Sequence, residues 1–230
     1  MSELKAAGVP PELVNVFLAM QEKIKGFFDE TRTMPETGRI EIGGTRFMWL
    51  QATGLSMTFR DTITEVYGER GAEQILYKFG QSLGRSEAKA FHNRFGLKDP
   101  LERLAAGPIY FAFSGWAFVE ILPSSAPQPN ENYVLTYNHP NSFEAEALKN
   151  AGKKADHPIC LINAGYSSGW CAESFMLPLE AREVSCEAMG DLHCTFIMTP
   201  RSKIFDREKK FREILKLKDR KEIVPQDILE

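Results

Sequence analysis

The stretch EAREVSCEAMGDLHCTFIMTP, Glu180–Pro200, decides how this chain is read. Apolar residues alternate on both sides of Ala188–Asp191, which predicts two short strands joined as a hairpin, with Gly190 free to take a left-handed turn. Cys186 and Cys194 flank that turn, Glu183 precedes it and Cys160 lies upstream; with Cys171 these are all the cysteines of the chain. Three thiolates and one carboxylate fill a tetrahedral zinc shell, so Cys160, Glu183, Cys186 and Cys194 are candidate metal ligands. On spacing alone a second reading stands beside it, in which the hairpin thiols are small buried apolar groups. His193 is a rival fourth ligand, although as the strand neighbour of Cys194 it should face the other way. Cys171 follows Trp170 without a partner at ligand spacing and reads as a core cysteine.

Composition frames these residues. The 230 residues are 43% hydrophobic and include 16 Phe, enough to bury a sizeable core as one domain with appendages or as two small lobes. A net charge of -3 offers no basic field, which argues against direct nucleic-acid binding. The start, MSELKAAGVPPELVNVFLAM, lacks the basic-then-apolar order of a secretory signal, and the most apolar run, PIYFAFSGWAFVEIL, is interrupted by Ser, Gly and Glu, so no membrane span is expected. The chain therefore reads as cytoplasmic. Disulfides are rare there, which turns clustered cysteines toward metal or thiol chemistry.

Working outward, Leu13, Val16, Phe17, Met20, Ile24, Phe27 and Phe28 recur at three- and four-residue spacing, predicting an amphipathic helix over 11–32. GRIEIGGTRFMWLQAT reads as a hairpin turning at Gly43-Gly44. From Ser56 to Phe95 the pattern is helical, as two helices divided near YGERG. RLAAGPIYFAFSGWAFVEI reads as strand, LPSSAPQPNENY as a loop between strands, and NSFEAEALKNAG as a short helix capped by Asn141 or Ser142 and ended by Gly152. PICLINAGYSSGWCAESFMLP reads as a buried strand entering a helix. After Arg201, basic residues outnumber acidic ones, and Ile204, Phe205, Phe211, Ile214, Leu215 and Leu217 suggest a solvated amphipathic helix or a signalling linker. Helices and strands mix without βαβ alternation, so the expected class is α+β.

Several of these segments carry a resemblance. HPICLINAGYSSGWCAESF followed by EAREVSCEAMGDLHCTFIM resembles the 4-vinyl-reductase domain, in the form found in the aromatic-sensing region of sigma-54-dependent activators of phenol and xylene catabolism. The run from Gly38 to Ala88, then LAAGPIYF and NSFEAE, resembles the rest of that sensory region in the same order. The resemblance implies an α+β fold of mixed helices and antiparallel strands around an apolar ligand cavity, with a zinc-bound hairpin. It implies a structural zinc on Cys160, Glu183, Cys186 and Cys194, a closed site that stabilises and does not catalyse. It further implies a homodimer formed through the N-terminal part, and a small aromatic effector whose binding relieves inhibition of a following ATPase module. About thirty residues follow Pro200, and no G-x-x-x-x-G-K-[ST] occurs in the chain, so its output module is expected to be absent, the chain being a truncated or a free-standing sensor. Three parts are expected: an N-terminal helix and dimerisation arm over 1–36, a ligand-binding sensor domain of the 4-vinyl-reductase type, with the zinc site, over 37–200, and a linker helix over 201–230.

Phenol-responsive members of that family hold the phenolic hydroxyl with a histidine two residues after a GP-x-leucine start and a tryptophan three before the serine of SFE. Phe111 and His139 occupy those places here. The plain alternatives are that Phe111 is core in the run Phe111, Phe113, Trp116, Phe118, and that His139 is a satisfied structural residue. Phe113, Tyr137, Trp116, Tyr166 and Trp170 supply further aromatic lining or core; on a strand, Phe111 and Phe113 share one face, opposite Tyr110 and Ala112. The loss of the histidine points to a more apolar or larger effector than phenol.

The favoured reading is a small-molecule sensor domain and not an enzyme. An alternative is a hydrolase using Ser167, since Gly165, Ser167 and Gly169 fit G-x-S-x-G, although no histidine is left to complete a triad. A protein-interaction scaffold of related fold is the other.

Overall fold

The computed structural model describes residues 3–216; positions 217–230 of the expected linker helix lie outside the described residues. Strand β1 (Ala7–Gly8) leads through a 3₁₀ turn into helix α1 (Val14–Asp29), whose Phe17, Met20, Ile24 and Phe27 are buried as their spacing predicts. Strands β2 (Arg32–Met34), β3 (Arg39–Ile42) and β4 (Thr45–Phe47) form a small antiparallel sheet, turning at Gly43-Gly44, both with positive φ. A π-helical turn at Gly54–Thr58 then opens the long helix α2 (Phe59–Phe95). The expected division near YGERG is a bend inside this helix, at Gly68 with φ 72° and ψ 171°, a backbone conformation suited to glycine.

Helix α3 (Pro100–Phe113) replaces the strand expected for its sequence. The start signal is local: Asp99 accepts the amide protons of Leu101 and Glu102 at 2.9 and 3.1 Å, and Pro100 occupies the first helical position. Apolar richness masked it, because a helix buried on most sides has no polar stripe. The expected pairing of Phe111 with Phe113 on one strand face is therefore corrected. On the helix Phe111 is buried, while Phe113 is 37% exposed and stacks on Phe28.

Beyond it, β5 (Val119–Ile121), β6 (Leu135–His139), β7 (Leu179–Ser185) and β8 (Cys194–Pro200) join β1 in a five-stranded sheet of order β1-β5-β6-β8-β7, antiparallel except at β1. The short helix α4 (Phe143–Asn150) starts after Ser142, without a side-chain cap, and closes at Gly152. Helix α5 (Leu161–Phe175) starts directly at Cys160, and the strand expected before it is absent. Helix α6 (Ile204–Ile214) lays Ile204 and Phe211 on Val184 and Ile197 of the sheet.

Two helices meet at backbone distance. A Cβ on Gly80 or Gly84 of α2 would collide with the carbonyls of Ile162 or Tyr166, and one on Gly165 or Gly169 of α5 with those of Tyr77 or Gln81. The glycines of G-Y-S-S-G are thus accounted for by helix packing, and Ser167 sits inside a helix, not on the strand-to-helix turn a nucleophile elbow requires.

One core runs through Phe17, Ile24, Phe91, Ile109, Tyr137, Trp170 and Phe196. The segment over 1–36 thus contributes α1 and β1 to the main core. Among the described residues no helix is long and apolar enough to cross a membrane.

Candidate functional site

The hairpin expected from the sequence is present, with Gly190 at φ 95° in its turn. A register shift between Glu183 and Ser185 bulges the end of β7 and re-aims its side chains. Cys160 caps α5, Glu183 ends the regular part of β7, Cys186 follows the strand and Cys194 opens β8. Their ligand atoms all lie within 4.8 Å of one another, and all four residues are buried. The Sγ–Sγ separations are 3.7 Å for Cys160–Cys194 and 3.9 Å for Cys186–Cys194. Thiolates on a tetrahedral zinc with bonds of ~2.3 Å stand ~3.8 Å apart, so the spacing fits.

Electrostatics points the same way. Burial and the neighbouring Cys186 push the Glu183 carboxyl well above the usual carboxylate range, and burial pushes Cys160 up, while thiol hydrogen bonds from Cys160 and Cys194 pull Cys186 down. Without a cation the cluster has room for little negative charge. Glu183 Oε2 accepts the Cys160 amide proton at 2.8 Å, but its buried Oε1 has no hydrogen-bond partner. A metal ion would occupy that oxygen and take the place of the shared thiol protons. Outer contacts hold the donors: Ser142 Oγ lies 3.1 Å from Cys160 Sγ, the Glu187 amide points at Cys194 Sγ at 3.4 Å, and the Cys186 amide donates to Asp191 at 2.8 Å. The His193 ring is outside the group; its backbone carbonyl accepts from Ser185.

Beside this cluster lies a small apolar cavity of about 30 Å³, bounded by α3, β5, β6 and α5. Helix α3 contributes Leu104, Gly107, Pro108 and Phe111, the strands Val119, Ile121, Leu135 and Tyr137, and α5 Tyr166, Ser167, Trp170 and Cys171. Four of the expected aromatic residues therefore line it: Phe111, Tyr137, Tyr166 and Trp170. Cys171, read from sequence as plain core, lines it as well. Phe113 does not; it stacks outside on Phe28. Trp116 stands between this cavity and an open groove of about 400 Å³ formed with Met48, Trp49, Leu50 and Phe143, stacking on Phe111 at 5.5 Å.

His139 is fully buried and packs 5.6 Å from Phe111, 5.0 Å from Tyr137 and 4.6 Å from Phe196, ring to ring. It pairs with Cys194 across the sheet, which places it between the cavity and the cysteine cluster. Neither ring nitrogen has a partner, and burial lowers its pKa to about 3. The two positions singled out in sequence thus come together. Sequence reasoning missed Leu104, Gly107 and Pro108, because it placed α3 on a strand.

Comparison with known proteins follows the same division. The family model described as activator of aromatic catabolism matches residues 27–125, and that of the 4-vinyl-reductase domain matches 137–200. The phenol regulator MopR of Acinetobacter guillouiae is 24% identical over 185 residues, covering 80% of this chain and 33% of that protein, so the chain spans about a third of the length of this curated relative. The phenol-responsive sensory domain of the transcription activator PoxR, solved with phenol, superposes with a TM-score of 0.71 at 20% identity, covering 87% of this chain and 98% of that one, and so shares its fold. An activator-of-aromatic-catabolism segment followed by a 4-vinyl-reductase domain makes this chain a member of the family of aromatic-sensing regions that carry that domain.

Proposed function

We propose that this chain is the effector-sensing domain of a transcription regulator, taking a small aromatic or hydrocarbon-like molecule into the cavity between α3, α5 and the sheet. The observation that carries the reading is the sealed apolar cavity walled by Phe111, Tyr166 and Trp170. Its polar features are few, as a site that recognises an apolar ring requires. An empty cavity that holds benzene measures ~150 Å³, so the walls must part to admit a ring. The Phe111–Trp116 stack, facing the open groove, is the wall placed to move.

Cys160, Glu183, Cys186 and Cys194 would hold zinc, which supplies cross-linking of α5 to the β7–β8 hairpin and no reaction step. Cys160 opens α5 and His139 stands opposite Cys194, so the cluster fixes two walls of the cavity. The regulator is read as a cytoplasmic homodimer whose output module lies outside this chain, the likeness to the sensory part of longer regulators supporting that reading.

Calorimetric titration of the purified chain with toluene and phenol tests the cavity: saturable binding, abolished by Gly107→Trp, is expected, and absence of binding to any single-ring aromatic overturns it. Metal analysis tests the cluster. About one zinc per chain is expected, lost in Cys186→Ser together with a fall in Tm; full retention of zinc by that variant would remove the site.

A further inference from the structure

Among the polar atoms of the cavity wall, most are already engaged by the fold. Tyr166 donates its hydroxyl to Glu87, and the Trp170 indole N–H donates to the Arg103 carbonyl at 2.9 Å. Tyr137 differs: it is 1% exposed, lines the cavity, and its hydroxyl has no hydrogen-bond partner. Its ring cannot turn away, because it lies flat on Phe196, its cross-strand neighbour, at 5.1 Å and 7°. Ser167, the aliphatic hydroxyl of the lining, is near enough to ease ionisation of Tyr137 slightly but does not meet it at hydrogen-bonding geometry. Burial nonetheless holds the Tyr137 phenol far above its ordinary pKa, so it stays a neutral donor. His139 also has unpartnered nitrogens, yet it stands behind the lining and not in it.

A buried hydroxyl without a partner is costly, and that cost is relieved when a ligand brings an acceptor to it. Around Tyr137 the wall is aliphatic, with Ile121 and Leu135, so a ligand oxygen finds its donor at this place. Resting on the reading of this cavity as the effector site, we infer that the effector class is a compact hydrocarbon ring bearing a single acceptor oxygen, such as an aryl or cyclic carbonyl, held by the Tyr137 hydroxyl with Ser167 as the second hydroxyl of the anchor. The anchor thus lies on β6 and α5, apart from the α3 position where Phe111 has removed polarity.

Benzaldehyde and styrene test this, since they share shape and differ in the acceptor oxygen. Wild type should bind benzaldehyde roughly ten- to a hundred-fold more tightly than styrene, the range a single buried hydrogen bond supports. In Tyr137→Phe the preference should collapse while styrene binding persists, and Ser167→Ala should narrow it less. Infrared spectra of benzaldehyde bound to wild type give a readout independent of any variant: the carbonyl stretch should move to lower frequency than in an alkane solvent. Equal affinities for the two probes in wild type, a preference retained in Tyr137→Phe, or an unshifted carbonyl would overturn the anchor and leave Tyr137 facing a trapped water only. Failure of both probes to bind wild type would instead overturn the effector-cavity reading on which the inference rests.

Discussion

Phe111 and His139 show how single residues set the chemistry of the site. Phe111 presents only carbon to the cavity, so an effector hydroxyl on that side goes unpaired, at a cost of about 1–3 kcal/mol. Phe111→His should therefore raise affinity for phenol about tenfold or more and lower that for toluene, measured by calorimetry; an unchanged ratio of the two affinities would show that position 111 does not meet the ligand. His92 governs a different property. It is buried in α2 against Trp170, with Nε2 unpartnered, and burial together with the nearby Arg103 lowers its pKa to about 4. Its folded pKa lies below the ordinary ~6.5, so between these values the unfolded chain takes up a proton that the native one refuses. Stability should consequently fall as pH drops from about 6.5 toward 4, and His92→Phe should flatten that limb in urea melts at stepped pH.

Helices α2 and α5 illustrate what an element contributes beyond its residues. Their glycines interlock at four-residue spacing, Gly80 and Gly84 against Gly165 and Gly169, which brings backbone to backbone and leaves no room for a methyl group. Gly84→Ala should destabilise the fold by about 1–3 kcal/mol, because the obstructing atoms are carbonyls of Tyr166 and cannot swing aside. Denaturant melts should show the loss, and a variant as stable as wild type would mean that the helices can slide apart freely. Tyr166 and Ser167 lie between Gly165 and Gly169, so this contact also sets how far α5 stands from α3 across the cavity. At the other end α6 is held to β7 by Arg182 and Arg212, both paired with Glu208. Strand alternation puts Glu183 in the cysteine cluster while its neighbours Arg182 and Val184 meet α6, so movement of the cluster reaches the last described helix directly.

For the molecule as a whole, the apolar face of α1 is spent on its own core, and the surface left over is the run Met48, Trp49 and Leu50 after β4, each more than two-thirds exposed. A homodimer formed through this run should dissociate in Trp49→Glu without loss of Tm, read by light scattering; a monomeric wild type at high concentration would count against it. Deleting 1–36 is not a clean test, since it would remove Phe17 and Ile24 from the core. The sequence by itself determined the amphipathic α1, both hairpins, the α+β class and the four metal-ligand candidates, because each rests on short-range signals: apolar period, turn glycines, and donor types whose chemistry limits their use. Tertiary structure decided the rest. The LAAGPIYFAF segment is helical because its burial among α1, α5 and the sheet erased the polar stripe that would have marked it. The glycines of G-Y-S-S-G serve a helix contact because Gly80 and Gly84, distant along the chain, oppose them. Which aromatic rings line the cavity, and that Tyr137 keeps a free hydroxyl there, follow from register and long-range packing, which bring together atoms whose separation along the chain carries no local signal.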